Sequence, residues 1–72
     1  PVLSGRVARL VTEERYGFIA GIDGREFYFS AMNLANGNYD HLAEGDEVHF
    51  LEDAGSQGVQ ARRVTLRRHE EA

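Results

Sequence analysis

Tyr16, Phe18 and Tyr28 are the residues best placed to do chemistry in this chain, and the chemistry open to them is stacking. They lie in two short aromatic stretches, Tyr16-Gly17-Phe18-Ile19 and Phe27-Tyr28-Phe29. If both are strands, period-2 alternation sets Tyr16, Phe18 and Tyr28 on one face and Ile19, Phe27 and Phe29 on the other. Six large residues cannot all be core in a chain of 72 residues, so one face is displayed. A displayed aromatic patch suits flat ligands, and the bases of single-stranded nucleic acid are the first candidates.

Other chemistries find little footing. There is no cysteine, which removes disulfides, thiol nucleophiles and cysteine-ligated zinc. His41, His49 and His69 lack metal-ligand spacing, so no metal or other cofactor is expected. Glu13 and Glu14 are adjacent and on an extended chain point apart, which prevents a cooperating acid and base. Ser4, Ser30 and Ser56 have no nucleophile-elbow or triad context. An amino-terminal proline is a secondary amine that serves as base or nucleophile in some enzymes, but removal of an initiator methionine or excision from a longer chain explains Pro1 more simply. The expectation is a binding protein, not an enzyme.

The net charge of −4 runs against a phosphate-binding role, because counterion release rewards excess positive charge. The type of cation runs the other way. All eight basic residues are arginine, which stacks on flat groups as well as pairing with phosphate. No apolar run approaches the roughly 18 residues a membrane span needs, and no charged-then-apolar leader opens the chain. A soluble, cytoplasmic protein without membrane contact is expected.

The elements that must position the rings can be read from pattern and punctuation. Gly5 to Val11 reads as a first strand, Glu13 to Arg15 as a bend, and Tyr16 to Ala20 as a second strand in which Gly17 marks a bulge or a close approach. Gly21 to Gly24 is a turn, and Arg25 to Ser30 completes a hairpin. Ala31 to Asp46 loses periodicity and reads as a long ordered loop anchored by Met32, Leu34, Tyr39 and Leu42, a length that is often functional. Glu47 to Glu52 alternates, with Val48 and Phe50 inward, and Val59 to Leu66 gives a fifth strand after a flexible turn. The whole of 1–72 is one domain, with its core in about 5–66 and a frayed tail in 67–72. Five short strands with glycine-rich turns and no helix predict an all-β barrel or sandwich.

The ordered set of motifs resembles the cold-shock domain family. Tyr16-Gly17-Phe18-Ile19 is similar to the core of its first ribonucleoprotein motif, and Glu26-Phe27-Tyr28-Phe29-Ser30 to the second. Gly5-Arg6-Val7, the run Leu42 to Phe50 (LAEGDEVHF) and Gly58-Val59-Gln60-Ala61 agree in order and spacing over about residues 5–66. The resemblance implies a small five-stranded OB-type antiparallel barrel that binds single-stranded RNA or DNA by stacking bases on strand-borne aromatics. It places the platform on Tyr16, Phe18 and Tyr28, the three residues that alternation already displays. The sequence departs from the family's pattern at several points. Glu14 stands for a lysine, Arg15 for a glycine, Ser30 for a histidine, Arg9-Leu10 for a Trp-Phe pair and Val59 for a proline.

The implied function is binding of single strands with low sequence preference, keeping them unpaired, with a regulatory role in transcription or translation. Arg9, Arg15, Ser30 and an outward member of the Arg62/Arg63 pair, taken as Arg63, would assist the rings. Stacking contributes about 1–3 kcal/mol per base, so three rings supply several of the roughly 8 kcal/mol that micromolar affinity requires. Weak to moderate affinity follows. The alternative is the same fold used as a protein-interaction or dimerisation module, the aromatic face meeting another polypeptide or a second copy of the chain.

Overall fold

Alternation decides what each strand buries, and two departures from it decide where the arginines go. The computed structural model describes residues 1–35, 39–55 and 58–67. β1 (Val2–Val11), β2 (Tyr16–Gly21), β3 (Glu26–Ser30), β4 (Glu47–Gly55) and β5 (Gly58–Leu66) close into a barrel in the order β1-β2-β3-β5-β4. The expected five-stranded OB-type barrel is present. It is antiparallel at every junction except the last, where β3 meets β5 in parallel at Tyr28 and Gln60.

Inward positions of the strands fill the barrel. Val7, Ile19, Phe27, Phe29, Val48, Phe50 and Val64 are each at most 2 % exposed. Phe27 and Phe50 meet edge-on with centroids 4.7 Å apart, a preferred geometry for aromatic pairs. Burying each such side chain contributes about 1.5–3 kcal/mol, and a barrel lets five short strands share one core. All five residues read from the sequence as core, Ile19, Phe27, Phe29, Val48 and Phe50, are there.

Strand bounds shift outward from the sequence reading. β1 begins at Val2, because residues 2–6 pair with β4 from Leu51 to Glu47. β4 runs on to Gly55, paired to Gly58. Of the expected tail, residues 68–72 lie outside the described residues; Arg67 is held, its amide donating to the Glu47 carbonyl (2.9 Å) and its guanidinium 3.8 Å from the Glu47 carboxylate. The turn between β2 and β3 is tight. Gly21 donates to the Arg25 carbonyl (2.7 Å), and Gly24 takes a positive φ of 93°, which a side chain would resist.

Two bulges break the alternation. On β1, Val7 faces Ile19 and Arg9 faces Phe18, so Ala8 is the extra residue. On β5, Thr65 faces His49 and Arg62 faces Leu51, leaving Arg63 and Val64 opposite Phe50 alone. Each extra residue turns the following side chains to the other face of the sheet. Without the first bulge Arg9 would point into the core with Val7. Beyond Arg6, β4 no longer covers β1, and the Val7 amide and carbonyl bond instead to Asp46 (2.8 Å) and Gly45 (2.7 Å).

The long loop is more regular than its composition suggests. It contains short 3-10 turns at Ala31–Asn33 and Tyr39–His41, and Leu34 bridges to Val64 of β5. Tyr39, Leu34 and Leu42 anchor it as expected. Met32 does not: it is 91 % exposed, because the first 3-10 turn directs it away from the barrel.

Candidate nucleic-acid interface

The pleat and the hairpin register bring three rings to one outer face. Tyr16 and Phe18 are two apart on β2, and Tyr28 on β3 pairs directly with Phe18. Residues directly opposite share a face, so all three stand together. Their centroids form a near-equilateral triangle with separations of 5.9 Å (Tyr16–Phe18), 5.5 Å (Tyr16–Tyr28) and 6.0 Å (Phe18–Tyr28). Tyr16 and Phe18 are half-buried by their neighbours, and Tyr28 is 36 % exposed. The rings hold one another at edge and tilted angles, which leaves π-faces and ring edges available to a flat partner.

Gly17 makes this surface possible. A Cβ there would lie 2.5 Å from the Arg9 carbonyl oxygen, 3.0 Å from Leu10 Cδ2 and 3.1 Å from Phe29 Cε1. The glycine is therefore a point of close approach between β1 and β2; the bulge lies on β1 at Ala8, opposite Phe18 and Ile19.

Tyr39 supports the face from below. It is 2 % exposed, packs against Phe29 at 6.4 Å, and its hydroxyl donates to the Tyr16 backbone carbonyl at 2.7 Å. Burial pushes its phenol above the ordinary tyrosine value, since the charged form is disfavoured there. The unfolded chain would lose this proton first, near pH 10. Stability contributed by Tyr39 is thus complete below that pH and lost as pH rises through the raised folded value. Tyr39→Phe is expected to cost about 1 kcal/mol, a fall in melting temperature of about 4–8 °C, and to flatten the alkaline decline in a pH series of thermal melts.

The assisting residues expected from the sequence divide by location. Arg9 is exposed on the ring face opposite Phe18, and among the described residues it makes no ion pair. Arg15 borders the face but is engaged. Its guanidinium lies 3.1 Å from Asp40 and 5.1 Å from the centre of the Tyr39 ring. Its φ of 59° is left-handed, a conformation that costs a non-glycine residue about 1–2 kcal/mol. Ser30 pairs with Tyr16, yet its amide and hydroxyl both donate to Asn33 Oδ1, at 2.8 and 3.3 Å. Arg63 is not among the rings. It borders a shallow depression with Val2, His49, Leu51 and Thr65, on β4 and β5 and the start of β1.

One neighbour of the rings escaped the sequence reading. Gln60 on β5 pairs with Tyr28, which extends a row running Arg9, Phe18, Tyr28, Gln60 across four strands. Sequence patterning gives no signal for it, because a parallel contact between β3 and β5 depends on barrel closure. The depressions elsewhere on the barrel, including one of about 510 Å³ beside Arg6, Glu47, His49 and Arg67, are lined by other residues than the rings. No group of three or more potential metal ligands occurs among the described residues, nor is any described helix long and apolar enough to cross a membrane.

The comparisons with known proteins agree with the geometry. The model of the 'Cold-shock' DNA-binding domain matches residues 3–67. Cold shock protein 1 of Lactiplantibacillus plantarum is 31 % identical over 61 residues, spanning 85 % of this chain and 92 % of the relative.

Proposed function

Because the chain belongs to the cold-shock domain family, whose members bind nucleic acid, we propose that it binds single-stranded RNA or DNA by stacking bases on Tyr16, Phe18 and Tyr28. The observation that carries this reading is the three-ring cluster, displayed on one face with Arg9 at its edge and all centroid separations at or below 6.0 Å. A base has a π-face whatever its identity, so such a surface is sequence-tolerant. Stacking on it competes with base pairing and keeps a strand open without breaking a covalent bond. The domain acts as a binding protein and not as an enzyme, in the cytoplasm, and its effect on transcription or translation comes through the strands it keeps unpaired. Arg15 and Ser30 serve by holding the rim of the platform, through Asp40, Tyr39 and Asn33, more than by touching the ligand.

Titration of a fluorescent pyrimidine-rich oligonucleotide across a salt series tests the proposal. Binding at low salt is expected, with a shallow slope of log affinity against log salt, about −1 to −2, given about 0.7 per phosphate neutralised. No binding at low salt would sink it. The protein-interaction alternative gains nothing from the family match; it would show instead as a concentration-dependent mass in light scattering.

A further inference from the structure

Four of the seven described arginines are held by carboxylates: Arg6 and Arg67 by Glu47, Arg15 by Asp40, and Arg25 by Asp23 and Glu52. Among the described residues the other three, Arg9, Arg62 and Arg63, make no ion pair and are exposed. In a chain of net charge −4, with twelve carboxylate side chains, cations that enter no ion pair stand out. Arg62 and Arg63 are also adjacent in sequence, where regular alternation would turn one of them into the core.

The β5 bulge prevents that. Arg63 has a φ of 51°, a left-handed conformation that an arginine adopts only against resistance, and the Thr65 hydroxyl bonds its carbonyl at 3.3 Å. The result is two arginines on the outer surface, flanking the half-buried Leu51. Arg62 borders a depression with Pro1, Leu3 and Glu52, and Arg63 one with Val2, His49 and Thr65.

Their position relative to the rings matters as much as their charge. Tyr28 pairs with Gln60, and β5 continues alongside the chain leaving β3, as the parallel bridge from Leu34 to Val64 records. Arg62 lies two residues beyond Gln60 on the same outer face. With about 3.3 Å per residue along a strand and about 4.8 Å between strands, its backbone is about 8 Å from that of Tyr28. A strand stacked on Tyr28 reaches that distance without leaving the surface.

We propose that the Arg62–Arg63 bulge is a second contact site for the bound nucleic acid, gripping the phosphates of the nucleotides that follow those stacked on the rings. This rests on the single-strand-binding reading above. The strand enters beside Arg9, crosses Phe18 and Tyr28, passes Gln60 and leaves over the bulge. Cations stand at both ends of an aromatic centre, so an acidic protein holds a polyanion through local placement and not through net charge.

The test uses the full chain and a pyrimidine-rich oligonucleotide of about sixteen nucleotides, the upper end of what one such barrel covers. Arg62→Gln with Arg63→Gln is expected to weaken binding on the order of tenfold and to remove most of the salt slope, at about 0.7 for each phosphate no longer neutralised. Arg6→Gln, an arginine already held by Glu47, serves as the control and is expected to leave the slope unchanged. Arg63→Gly should weaken binding while holding or raising the melting temperature, since glycine accepts the left-handed φ. A merely structural arginine cannot give that opposition. Unchanged affinity and slope in the double variant, or a loss no larger than that of the Arg6 control, would overturn the second site while leaving the ring platform standing. Loss of polyglutamate binding with unchanged oligonucleotide binding would assign the bulge to acidic peptides instead. Failure of the wild-type chain to bind at all would remove the ring platform and, with it, this site.

Discussion

Tyr16→Ala combined with Phe18→Ala lowers affinity for a short pyrimidine-rich strand by about thirtyfold or more. The magnitude follows from two stacking surfaces at about 1–3 kcal/mol each, whose lower sum of about 2 kcal/mol already corresponds to that ratio. The two rings also touch each other and Tyr28, at 5.9, 5.5 and 6.0 Å, so the change removes every contact within the triangle. Such contacts contribute about 0.5–1.5 kcal/mol apiece, and some loss of thermal stability accompanies the loss of binding. Phe18→Leu separates the two effects. It keeps an apolar side chain of similar reach beside Tyr28 but has no π-face, so binding falls while the melting temperature stays close to that of the wild type. Fluorescence titration at low salt, with a circular dichroism melt of each variant, reads both quantities. Affinity unchanged in the double variant would place the ligand on another face.

Phe29→Ala has the largest expected effect on the fold, about 3–5 kcal/mol of lost stability. Phe29 is fully buried, contacts Tyr39, and reaches under Gly17, the residue between Tyr16 and Phe18. A domain of this size has a total stability of about 4–11 kcal/mol, so the substitution removes a large part of it or all of it. Urea denaturation followed by tyrosine fluorescence measures the change. A cost below about 1 kcal/mol would mean that the barrel collapses around the missing ring, contrary to the close packing at Gly17.

The alternating stretches were legible because the barrel needs one apolar face per strand. Ile19, Phe27 and Phe29 against Tyr16, Phe18 and Tyr28 follow from parity alone, and Val48 with Phe50 likewise. The sequence was less informative wherever parity breaks. Nothing in Ala8 announces the bulge that brings Arg9 to the ring face, and the exposure of both Arg62 and Arg63 depends on a bulge that the sequence only permits. Arg15 shows a different limit. The family's usual glycine at that place corresponds here to a left-handed φ of 59°, so the departure concerns backbone strain, and the side chain turns to Asp40 and Tyr39. Met32 reads as an anchor by composition, but the 3-10 turn that exposes it is set by Asn33 accepting from Ser30, a local bond that no hydrophobic pattern encodes.

The hairpin of β2 and β3 carries all three rings and is closed by a turn of a few residues. Its strands follow one another in the chain, from Gly21 to Glu26, whereas β1 must find β4 across some forty residues, as in the pairing of Arg6 with Glu47. Forming such a hairpin takes microseconds, and the entropy of the long closure is the greater obstacle to a folded barrel. The ring face is thus built from a local part of the topology, while the slow, distant closures supply the rigidity that an isolated two-stranded hairpin lacks. During synthesis the rings can meet one another well before β5 exists, and it is the last strand of the barrel that brings Gln60 alongside Tyr28.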